Sequence, residues 1–277
     1  MTTINAIRYV AIAVLFLLVG CSHRVPQATI EVIDTSLSIT PRAEKAALDA
    51  VQNQISHMQR GDTLILVPIT GDAANDAGGR VLRLSAPTRR ETYDTDLHRF
   101  QEQARKQFDV WKASLDQHQF LTDILGALDV ARHEFALLPN GMNRRLIVVS
   151  DFLEDDGTYR FVSAGSLTSP ARARELAERL REQHGFALQG VPLCLGRLES
   201  SDFAPLSVQR KEAVQAFWTA YFAAGGESAE IQFDSTGILA NAERGCVGGK
   251  RAPRNRRSGP RRKRAWSNRK RTTSPIS

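Results

Sequence analysis

Residues Thr63 to Ile69 read Thr-Leu-Ile-Leu-Val-Pro-Ile, a run that stays apolar where a half-solvated strand would alternate with polar residues. A strand of that kind has to be covered on both faces, which is the situation of a parallel sheet held between helices. Three further segments repeat the pattern: Ala28 to Asp34, Arg145 to Asp151 and Phe186 to Leu195. Between the first two strands, Arg42 to Met58 places Ala43, Ala47, Val51 and Ile55 on one helical stripe and stops at Gly61. Strand, helix, strand in that order implies a parallel pair joined by a right-handed crossover. The expected fold is α/β, a Rossmann-like doubly wound and mostly parallel sheet flanked by helices.

The rest of the chain fills in that plan. Gly71 to Gly79 reads as a solvated Gly and Asp loop, and Val81 to Ser85 as a short edge strand. Asp94 to His118 is a polar helix whose stripe of Leu97, Phe100, Ala104, Phe108, Trp111 and Leu115 serves the core. Helices are also expected from Thr122, from Pro170 to Gln183 and from Val208 to Ala224, with a last short strand over Ala229 to Phe233.

The two ends differ from this body. Residues 1–20 hold one cation, Arg8, and a mainly apolar run ending at Gly20 and Cys21, the design of a secretory signal and short for a membrane span. Leu18-Val19-Gly20-Cys21 resembles the lipobox of bacterial lipoproteins, which makes residues 1–20 the signal peptide and Cys21 the lipid-modified first residue. Acyl chains there would hold residues 28–246 to a membrane through the tether 21–27. Ser22 after the cysteine, rather than Asp, favours the outer membrane and a periplasmic domain by the sorting rule for such proteins. The net charge of +7 is misleading, because Lys250 to Arg271 contains twelve Lys and Arg and no acid; without those twelve the net is −5. Residues 247–277, rich in Arg, Lys, Pro, Gly and Ser, are expected to be disordered. Anionic membrane is the easier partner for that tail, and nucleic acid a poor one for an exported protein. Cys194 and Cys246 are the pair available for one disulfide, although Cys194 in its apolar run reads equally as a small buried hydrophobe.

The first strand ends at Asp34 and is followed by Ser36 and Ser38 at alternate positions. In an open parallel sheet, ligands lie beyond the carboxyl ends of the strands, so these oxygens stand where a site is expected. Read alone, the stretch is equally a helix cap. Asp151 ends a second core strand, and Thr122 stands at a helix start between them. All are hard oxygen donors, suited to Mg²⁺ or a similar cation rather than zinc.

Asp34-x-Ser36-x-Ser38, Thr122 and Asp151, in this order, resemble the metal-ion-dependent adhesion site of von Willebrand factor type A (VWA) domains, and the resemblance covers Ala28 to Phe233. It implies hydroxyl ligands from Ser36, Ser38 and Thr122, with Asp34 and Asp151 acting directly or through water on Mg²⁺, or on Mn²⁺ or Ca²⁺. It also implies an open position filled by an acidic residue of a protein partner, and no enzymatic activity. Four positions depart from the family's habit: Leu37 stands between the serines and Phe152 after the second aspartate, both often glycine, while Phe120 and Leu121 precede the threonine, where glycines are common. Asp72, Asp76, Glu154, Asp155 and Asp156 are expected at the same sheet edge as an acidic rim met by basic groups of the partner. Two alternatives stay open. One is a structural domain with a lapsed site; the other is a phosphohydrolase with Asp34 as nucleophile. The haloacid dehalogenase-like pattern needs a second Asp where Ser36 stands.

Overall fold

The computed structural model describes residues 24–89, 93–115, 121–163, 165, 167–184 and 191–223. Residues 1–20, expected to be a signal peptide, Cys21, Cys246, the strand expected over Ala229 to Phe233 and the tail 247–277 lie outside these residues. Within them, five strands form one sheet in the order β3-β2-β1-β4-β5: β1 Gln27–Asp34, β2 Thr63–Ile69, β3 Leu82–Ser85, β4 Asn143–Ser150 and β5 Leu193–Arg197. β1 pairs in parallel with β2 and β4, and β4 with β5; β3 alone runs antiparallel, on the edge. The ladder to β3 stops at Leu66. Pro68, which has no N–H to give, therefore lies beyond it.

Among the described residues six helices cover the two faces: α1 Pro41–His57, α2 Ala73–Arg80, α3 Tyr93–Ser114, α4 Ile124–Leu137, α5 Pro170–His184 and α6 Val208–Phe222. Alternation along β1 decides which helices meet which face. Ala28, Ile30 and Val32 join Ile124, Leu128, Ala177 and Trp218 in the larger core. Ile33 turns the other way, toward Leu48 and Val51 of α1 and Phe108 of α3. The parallel sheet buried on both faces is therefore as expected. The helix α3 stripe also packs inward, with Ala104, Phe108, Trp111 and Leu115 buried.

Two local readings change. Gly71 to Gly79 is largely the short helix α2, started by Asp72, whose side chain accepts the Asn75 N–H. The helix is held at its far end by Trp111, whose indole N–H donates to the Arg80 carbonyl. The fourth core strand begins at Leu193 and runs to Arg197, later than expected. At the amino end, Arg24 makes a two-pronged ion pair with Asp62, which also accepts the Gln27 N–H, so the chain is already fixed to the body where β1 begins. Among the described residues no helix is long and apolar enough to cross a membrane.

Candidate metal centre

The strand order reverses between β1 and β4, so the carboxyl ends of these two neighbours form the crevice where doubly wound sheets bind ligands. β1 ends there in Asp34, and β4 is followed at once by Asp151. Register completes the placement: Ile33 pairs with Val149, which sets Asp34 beside Ser150. The Ser150 hydroxyl donates to Asp34 Oδ2 at 2.6 Å, while Asp34 Oδ1 accepts the Ser36 N–H at 2.9 Å. The Ser36 and Ser38 hydroxyls lie 3.1 Å apart, and Ser38 Oγ donates to Asp151 Oδ2 at 3.1 Å. Asp151 Oδ1 accepts the Leu153 N–H at 2.9 Å. A continuous hydrogen-bonded chain thus links four of the five expected residues.

Thr122 completes the group from the other side. It precedes α4, and its backbone exchanges two hydrogen bonds with Asp155, at 2.8 and 2.9 Å, which clamp its loop to the loop after β4. Ser36, Ser38 and Thr122 line one pocket of about 220 Å³, together with Leu37, Leu153, Asp155, Val162, Ser201 and Asp202. The serines of this lining are hydrogen-bonded to two buried acids. Asp34 is 0% and Asp151 1% exposed. Burial, then the charge of Asp34, pushes Asp151 up to about 7, and burial raises Asp34 as well. Two buried carboxylates facing one another are costly unless a positive charge compensates them. An all-oxygen donor set around them fits a hard divalent cation.

The departures at Leu37 and Phe152 have structural answers. Phe152 adopts φ of 64°, the left-handed backbone for which glycine is the ordinary choice. Its ring is buried, packs against Trp218 at 5.8 Å between centroids, and its carbonyl accepts the Trp218 indole N–H at 2.8 Å. Burying such a ring contributes on the order of 3 kcal/mol, more than the roughly 1–2 kcal/mol cost of the backbone. Leu37 simply points outward, 49% exposed at the pocket's edge.

No protein-family model matches the sequence, and no curated protein matches it. Solved structures do. The manganese-loaded TRAP protein of Plasmodium vivax matches at 14% identity and a TM-score of 0.38, over 69% of this chain and 62% of that one. An aerotolerance-related membrane protein from Bacteroides fragilis matches at 13% and 0.39, over 79% and 97%. A von Willebrand factor type A structure from Catenulispora acidiphila matches at 16% and 0.37, over 70% and 43%. The chain is similar to von Willebrand factor type A domains. It spans less than two thirds of the Plasmodium and Catenulispora chains. Likenesses at these TM-scores carry no argument about chemistry, which rests on the residues above.

Sequence reasoning missed three residues around the site. Ser150 and Ser200 hydrogen-bond Asp34 and Asp151 respectively. Ser200 belongs to a loop that docks on the serine turn, where Ser201 N–H donates to the Ser38 carbonyl and Thr40 N–H to the Glu199 carbonyl. Arg197, at the end of β5 and 4.4 Å over the Phe203 ring, lies in the field of Asp151. The expected acidic rim is also redistributed. Asp155 lines the pocket, but Glu154 is turned inward and fully buried, and Asp72 caps α2. Cys194 is 6% exposed on β5 and disulfide-bonded, and its partner cysteine lies outside the described residues.

Proposed function

We propose that this chain is a non-enzymatic, membrane-tethered module that binds a protein partner through a divalent cation, Mg²⁺ with Mn²⁺ or Ca²⁺ as substitutes. The cation would be held by Ser36, Ser38 and Thr122, with Asp34 and Asp151 directly or through water. The observation that carries this reading is that three hydroxyl-bearing residues line one pocket, two of them hydrogen-bonded to buried acids at the sheet's switch point. When bound, the cation supplies a Lewis-acidic position that a partner carboxylate completes. Hydroxyls bring dipoles without charge, so the cation keeps its attraction for an anionic ligand.

The rim describes the partner further. Leu37 and Val162 line the pocket at 49% and 37% exposure, beside Asp155 and Asp202. A matching surface presents one carboxylate among apolar side chains, with basic groups outside them to meet the two acids. The enzymatic alternative gains nothing from the geometry. A nucleophilic Asp34 would need a general acid to protonate the leaving group, and Ser36 stands where the second Asp of that pattern would supply it. Tethering belongs to the same proposal. Cys21 carries the lipid, the body faces the periplasm from the outer membrane, the basic segment 247–277 lies on anionic lipid, and Cys194 pairs with Cys246.

The test is capture of envelope proteins by the immobilised full chain, with Mg²⁺ or with excess chelator. A partner retained in Mg²⁺, released by chelator and not retained by Ser36→Ala supports the proposal. Retention unchanged by both treatments contradicts it.

A further inference from the structure

We propose that Asp123, Glu154 and Asp156 form a second cation site, of calcium type, which staples the loop carrying Thr122 to the loop that follows β4. One carboxylate oxygen from each lies within 4.8 Å of the others. A cluster of acids alone is commonplace, and the independent observation here is Glu154. It is 0% exposed, its Oε2 accepts the N–H groups of Ile124 and Leu125 at 3.1 and 3.2 Å, and its Oε1 is buried with no hydrogen-bond partner among the described residues. A carboxylate oxygen taken out of water and left unpartnered is costly, and a bound cation removes that cost.

The other two carboxylates are already aimed. Asp123 is fixed by the Gly126 and Ala73 N–H groups, one on each oxygen, at 2.6 and 3.0 Å. Asp156 Oδ1 accepts the Thr158 and Tyr159 N–H groups. Each anchored carboxylate keeps lone pairs for a metal. The N-terminal dipole of α4 opposes a cation by the equivalent of about half a charge, against up to three carboxylate charges, so the local field still favours it. Calcium takes oxygens at roughly 2.3–2.6 Å in flexible geometry, so ligands on opposite sides stand about 5 Å apart. The 4.8 Å envelope accommodates that arrangement.

The position gives the site its consequence. Asp123 adjoins Thr122, and Glu154 and Asp156 flank Asp155, whose backbone clamps Thr122. An ion here would fix the separation of the loops that carry Thr122 and Asp151, without itself contacting the partner.

Calcium titrated calorimetrically into the purified, metal-free full chain tests this independently of the first site. In Ser36→Ala, which disables the Ser36 site, one calcium-binding event should persist. Adding Asp156→Asn, a change at a part-exposed residue that leaves the core alone, should weaken that event at least tenfold, as should Glu154→Gln. No calcium binding to Ser36→Ala, or equal affinity with and without Asp156→Asn, would overturn the proposal and leave the Ser36 reading untouched. If Ser36→Ala matches wild type throughout while Asp156→Asn loses calcium, this second site stands and the first does not.

Discussion

Glu31 sits in the middle of β1, paired with Leu66 on one side and Ile147 on the other, and is fully buried. Gln54 of α1 donates to its Oε2 at 2.9 Å, and Oε1 has no hydrogen-bond partner among the described residues. Burial pushes its pKa from 4.5 up to about 7, against the lowering effects of Gln54 and Arg145. The folded chain therefore keeps a proton that the unfolded chain releases between about pH 4.5 and 7. Stability falls as pH rises through that window and is flat with respect to this group outside it. Glu31→Gln keeps an acceptor for Gln54 and carries no charge. It should stabilise the fold at pH 8 by up to about 3 kcal/mol, read from urea unfolding, and change little below pH 4.5. An equal effect at both pH values would contradict this. Such residues divide by legibility. That Glu31 needs a partner is visible in a strand of β-branched neighbours, and Asp34, Ser36 and Ser38 announce themselves as oxygens at a strand's end. Ser150 and Ser200 do not, because each matters through a carboxylate far away in the chain.

At the scale of elements, the junction before α4 has the most consequence. Asp123 caps α4 through Gly126 and, with its other oxygen, holds the first N–H of α2. Gly126 is required beneath it, since a Cβ there would stand 2.0 Å from the Asp123 carboxylate. Asp123→Ala removes two caps at once and should cost about 2 kcal/mol, read as a lowered urea midpoint in excess chelator. A midpoint unchanged from wild type would mean that neither cap matters. Elements with strong periodicity were readable: β2 as a continuous apolar run, α1 and α3 by their stripes. α2 was not. Asp72, Gly78 and Gly79 have turn chemistry, and what makes the segment helical is tertiary, namely the Asp123 carboxylate at one end and the Trp111 indole at the other. The displaced start of β5 has a similar origin. Its bounds follow pairing with β4, where Leu193 meets Leu146, rather than the apolar run itself.

Across the whole molecule, the topology does one thing for function. It brings residues separated by more than a hundred positions to a single crevice between β1 and β4. The order of strands and helices, and so the switch point, could be argued from sequence patterning, because doubly wound sheets leave few alternatives. The apolar margin of Leu37 and Val162 and the inward turn of Glu154 could not, since exposure is decided by how the loops fold over the crevice. In the proposed function, Asp34, Ser36, Ser38, Thr122 and Asp151 together hold a divalent cation. Magnesium titrated calorimetrically into the metal-free full chain, wild type against Ser36→Ala and Asp34→Ala, tests it most directly. Binding by wild type that both variants lose at least tenfold is the predicted result; the same affinity in all three would contradict it.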